Sequence, residues 1–135
     1  MAWINPKTNW TSASFVNASD YNRIINNIAY IKAYADDLFA NLSDVLLGEN
    51  KTYLSLIYAN EINAIETAIS TLNLETYNID IGDTRLYMPN EHTPDYNELN
   101  RIENATLRLY ETMVLHKANL IKLDFKLGNQ KGLKV

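Results

Sequence analysis

Four glutamates, Glu61, Glu66, Glu98 and Glu103, fall in stretches of helical period and are the residues best suited to acid–base chemistry. Two inward carboxylates at a set separation could cleave a glycosidic bond. Carboxylates in Glu-X-X-His spacing on facing helices could hold a pair of iron ions. The spacing offers neither arrangement: Glu91 adjoins His92, and Glu111 lies five residues before His116. These are the only two histidines and cysteine is absent, so thiolate chemistry and disulfides are excluded and a zinc centre is not expected. There is no Gly-rich phosphate loop and no GxSxG elbow. The expectation is a chain that is not an enzyme, with no cofactor, no metal and no small-molecule substrate. Its glutamates are then expected to line solvated helix faces. His116 falls on an apolar stripe and reads as a satisfied or bundle-edge histidine.

The fold class expected is mainly α: three long helices in a bundle, an extended N-terminal arm, and a small β-hairpin between the second and third helices. The arm spans residues 1–16, the bundle 17–125, and a basic tail 126–135. Pro6 biases Asn5 away from helix, and the arm shows no helical period. Asn17 suits a helix cap, with Asp20 three residues on, near the positive helix end, and Val16 and Tyr21 placed for a hydrophobic staple. Apolar residues then recur at Tyr21, Ile24, Ile28, Ile31, Ala35, Leu38, Leu42 and Val45, which predicts a helix running to Gly48. A second helix is expected from about Thr52 to Thr76, with Leu54, Ile57, Ile62, Ile65, Ile69 and Leu72 on one face. Tyr77, Ile79 and Ile81 alternate with polar residues, Gly82-Asp83 suits a tight turn, and Leu86 and Met88 alternate beyond it, which predicts a hairpin over 76–90. Thr93 as cap and Pro94 at the first position open the third helix, whose stripe is Leu99, Ile102, Thr106, Leu109, Met113, His116 and Leu120. The expected core is Tyr21, Ile24, Ile28, Ile31, Leu38, Leu42, Ile62, Ile65, Ile69, Leu99, Ile102, Leu109 and Met113. Asn22-Arg23-Ile24 resembles Asn100-Arg101-Ile102, and Asn63-Ala64-Ile65 is a weaker third copy; convergence of amphipathic helices is favoured over duplication.

Charge is uneven. Residues 1–116 carry 7 Lys/Arg against 15 Asp/Glu, and residues 117–135 carry 5 Lys against Asp124, within a net charge of −4. The acidic body argues against nucleic-acid binding, and the tail is expected to be solvated. The first residues lack the basic and apolar regions of a signal peptide, and no stretch reaches the roughly 18 apolar residues of a membrane span. Asparagine, isoleucine, tyrosine and lysine are frequent, as in low-GC genomes.

Trp3-Ile4-Asn5-Pro6-Lys7-Thr8-Asn9-Trp10-Thr11, Phe15, and Asp20-Tyr21-Asn22-Arg23-Ile24 with Asn27-Ile28 resemble the opening of minor structural and tail-associated proteins in phages of low-GC Gram-positive bacteria. The resemblance covers about residues 3–40. It implies a non-enzymatic virion component of tail, baseplate or neck, made in the host bacterial cytoplasm, forming a homo-oligomer and docking to other virion proteins. Large aromatics on an arm need a surface to bury against. That surface could be the chain's own bundle or a neighbouring subunit, and the latter is favoured. Trp3, Ile4, Trp10 and Phe15 of the arm, Tyr87 of the hairpin and Phe125 near the end are the candidate interface residues. A small phage-encoded protein that binds and regulates a host protein is the alternative; it would keep its arm packed on its own body.

Overall fold

A computed structural model describes residues 2–13, 16–52, 57–89 and 94–130, with side chains as far as Leu123. Among these residues there are three helices and no strands: α1, Ala18–Leu38; α2, Ala59–Glu75; and α3, Tyr96–Gln130.

A hydrogen bond between a side chain and a backbone N–H marks the start of each helix. Asn17 and Asp20 form a reciprocal box at α1: the Asp20 N–H donates to Asn17 Oδ1 and the Asn17 N–H to Asp20 Oδ2, both at 3.0 Å. At α2 the Glu61 carboxylate accepts from the Tyr58 N–H at 2.9 Å. At α3 Asp95 does the work expected of Thr93, accepting the Glu98 N–H at 2.8 Å; Thr93 lies outside the described residues.

The helices run in the same direction. Arg23 meets Glu103 and Tyr30 meets Tyr110, two α1–α3 pairs with the same separation in sequence. Arg101 meets Glu66 near the starts of α3 and α2, while Tyr77, just past α2, meets His116. Short antiparallel turns cannot join parallel neighbours, so the chain must travel back between one helix and the next, and its described residues there, 39–52, 57–58, 76–89 and 94–95, are not helical. This accounts for two departures from the sequence-based expectation. First, α1 ends at Leu38 rather than Gly48: Phe39 is extended and Asn41 takes a left-handed φ of 60°. Leu42, Val45 and Leu47 still pack against the core, but from a non-helical segment. Second, α2 starts at Ala59 rather than near Thr52, and no hairpin forms over 76–90 among the described residues. Tyr77 lies in the turn after α2, Ile79 and Ile81 follow in irregular chain, and all three pack on the core with no strand beside them among the described residues.

The core sits between the helices. Ile28, Ile31, Ile65, Ile69, Ile102, Leu109 and Met113 are fully buried, each contributing about 1.5–3 kcal/mol on transfer from water. Leu38 and Leu42 are only partly buried. Ala35 and Leu72, expected on the apolar stripes, are buried too, and Trp10, Ile25, Ala68, Tyr87 and Ala105 join the buried set beyond the core expected from sequence. No helix of the described residues is long and apolar enough to cross a membrane.

Candidate functional site

The returning segments lack strand partners, yet their buried N–H and C=O groups need hydrogen bonds. Asparagine side chains supply them. A carboxamide presents one acceptor and one donor side by side, as a neighbouring peptide would. Among the described residues five asparagines each hold both backbone groups of one residue. Asn22 accepts from the Lys51 N–H at 2.6 Å and donates to its C=O at 2.8 Å. Asn63 does the same for Tyr87 at 2.7 and 2.8 Å, and Asn100 for Trp10 at 2.9 and 3.1 Å. Asn27 holds Ile4 and Asn73 holds Ile79 in the same way.

Three of these occupy one helical position: Asn22, Asn63 and Asn100 are each the fifth residue of their helix. Their order is cyclic. The segment before α2 is held by α1, the segment before α3 by α2, and the arm before α1 by α3. The likeness among Asn22-Arg23-Ile24, Asn63-Ala64-Ile65 and Asn100-Arg101-Ile102 is therefore a shared structural role, beyond shared composition.

The next residue on α1 and α3 is an arginine, and each reaches a buried glutamate on a neighbouring helix. Arg23 donates to Glu103 through Nε at 2.8 Å and Nη2 at 2.7 Å, and through Nη1 to Asp20 at 3.0 Å. Arg101 donates to Glu66 at 2.7 and 2.8 Å and to Glu98 at 2.7 Å. Glu103 and Glu66 are 1% and 3% exposed, which corrects the expectation of solvated faces. Such burial is costly for a carboxylate unless it is paired and hydrogen-bonded. Glu103 also accepts from Trp10 Nε1 at 2.6 Å and the Lys7 N–H at 3.1 Å, and Glu66 from the Arg85 N–H at 2.6 Å. The hydrogen bond to Glu103 holds the Arg23 pKa above its ordinary value. For Arg101, burial works against the charge, but the bonds to Glu98 and Glu66 prevail and its pKa is also raised.

A third pair of this kind would join α2 to α1. Its positions hold Ala64 and Ile25, so cation and carboxylate are both missing. Losing one alone would leave a buried charge unpaired. Gly82, at φ +80°, lets the segment before α3 cross Arg101; a Cβ there would lie 2.7 Å from Arg101 Cδ.

The expected interface residues divide. Trp10 and Tyr87 are each 3% exposed and held within this chain, so neither presents a free face. Trp3 is half-buried and stacks on Tyr110 at 4.0 Å between ring centroids, near Tyr30. The arm thus packs on its own bundle, against the expectation of a neighbouring subunit. Ile4 is 45% exposed and borders an open groove of about 970 Å³ shared with Asn22, Arg23, Ile25 and Leu47. Phe15 lies outside the described residues, and Phe125 falls where only the backbone of α3 is described. His116 closes the far end of the bundle: its Nδ1 is 2.8 Å from the Tyr77 hydroxyl, and its ring packs on Phe39. Among the described residues no group of three or more His, Asp or Glu is placed to hold a metal ion.

These contacts fasten chain segments to helices; both oxygens of each buried carboxylate, Glu66 and Glu103, accept from arginine, backbone or the Trp10 indole. Compared with known proteins, the chain matches no family model, no curated protein and no solved structure.

Proposed function

We propose that the chain is a non-enzymatic structural component of a phage particle, in its tail, baseplate or neck, working by self-association and by docking to other particle proteins. One observation carries this reading. The two sequence blocks that resemble such proteins, Thr8-Asn9-Trp10-Thr11 and Asp20-Tyr21-Asn22-Arg23-Ile24, meet at a single lock. In it Glu103 takes hydrogen bonds from both Trp10 and Arg23. The shared residues thus build a scaffold, and the buried carboxylates serve that scaffold.

The test is to follow the chain by antibody through density-gradient purification of particles from cells expressing its gene cluster. The chain is expected to band with particles at a fixed ratio to the major structural proteins. Recovery wholly with free protein would overturn the proposal. A small phage-encoded protein that regulates a host protein is the second reading, favoured by the arm's packing on its own body; it expects one host protein to co-precipitate with the free chain.

A further inference from the structure

We propose that the outer part of α3 joins copies of this chain side by side, through two apolar seams on opposite sides of the helix. The inference rests on the role in assembly proposed above and names the surface that performs it.

The bundle ends at His116, where Phe39, just past α1, and Tyr77, just past α2, close over the ring. The helix continues to Gln130, and residues 118–123 are all exposed. The sequence keeps its apolar spacing across this boundary. Leu109, Met113 and His116 form the stripe that packs inside the bundle, and Leu120 and Leu123 extend it at steps of 4 and 3 after α1 and α2 have stopped. Leu120 is 38% and Leu123 51% exposed. This first seam therefore continues an existing helix–helix interface from which the partner helices are missing.

A second seam has the same steps. Val114, Ala118 and Ile121 are exposed, Ile121 at 60%. At roughly 100° per residue the two seams lie about 160° apart around the helix. A helix resting on a membrane surface needs one apolar face and one charged face. Two opposed seams call for a helix on each side. A second copy of this chain supplies one: the first seam of one copy meets the second seam of the next, a heterologous contact that repeats around a ring or along a filament.

The seams differ, so they can be broken separately. Light scattering on the full chain is expected to give a mass above that of a dimer. Ile121→Asp and Leu123→Asp each remove one seam and should each give a monomer, with helix content unchanged because the side chains are exposed. Mixing the two variants should restore a one-to-one pair, since each retains the seam the other lost. Leu115→Asp is the control: Leu115 is 62% exposed but lies off both seams, and the assembly should survive. A full chain that is monomeric or stops at a dimer overturns the inference. So does dispersal by Leu115→Asp, or failure of the two variants to pair. A monomer that still bands with particles would end this inference and the self-association, and leave the docking to particle proteins standing. An oligomer absent from particles would sustain the seams and end the role.

Discussion

Replacing Glu103 with alanine should cost about 4 kcal/mol of stability, and the structure shows where that figure comes from. The carboxylate is 1% exposed and accepts from Arg23, Trp10 and Lys7. Removing one partner of a buried ion pair costs about 3–5 kcal/mol, because the other charge stays behind unpaired. Two circumstances soften this here: the Arg23 side chain is 15% exposed, and it keeps Asp20 at 3.0 Å. Against that, the buried indole N–H of Trp10 loses its acceptor, worth about 1–3 kcal/mol. Out of a total stability of about 5–15 kcal/mol the loss is large, and for a chain of this size it lowers Tm by about 10–20 °C. Urea unfolding followed by far-UV circular dichroism measures it. Glu103→Gln, which keeps the shape and one acceptor, should fall between the two. A loss under about 1 kcal/mol for Glu103→Ala would refute the idea that this carboxylate fastens the arm.

Asn27→Ala removes both hydrogen bonds to Ile4 and should cost about 1–3 kcal/mol, with faster amide exchange at Ile4; unchanged protection would show that the clamp is idle. Gly82→Ala should cost about 1–3 kcal/mol, from strain at φ +80° and the contact with Arg101, and a neutral result in urea would contradict the path drawn for residues 79–87. Alkali should unfold the chain. Burial, reinforced by Tyr34, pushes the Tyr77 hydroxyl up to about 12, and burial with Glu66 and Glu98 pushes Tyr87 higher still. A folded-state pKa above the unfolded value of 10 gives stability that is whole below pH 10 and lost as pH rises through 12. Unfolding free energy should therefore fall across that window, less steeply in Tyr77→Phe; equal slopes in the two proteins would contradict it.

Local signals in the sequence were legible where the chain obeys local rules. The Asn17–Asp20 box, the stripe from Tyr21 to Ala35 and the stripe from Leu99 to Met113 all follow from capping and period, and the structure has them. Leu42 and Val45 misled because apolar residues at helical spacing also suit an extended segment lying on a core, and nothing at that range distinguishes the two. The alternation of Tyr77, Ile79 and Ile81 picked out residues that pack on the core but not a strand, because pairing is a tertiary matter: Asn73 and Asn63 stand where a second strand was expected. The site was the least legible part. Glu66 and Glu103 have the composition of solvated residues, and only the arginines of other helices reveal their burial. The repeated Asn-Arg-Ile was visible, and its fixed place in the first turns of α1 and α3 was the available clue.

The most direct measurement removes residues 1–13 and records unfolding free energy and solution mass together. The arm, clamped at Ile4 and Trp10 and tied to Glu103, is part of this chain's own core. The shortened chain should therefore lose most of its cooperative stability. A shortened chain that keeps its full stability but falls from oligomer to monomer would contradict the account: the arm would then be a latch for a neighbour.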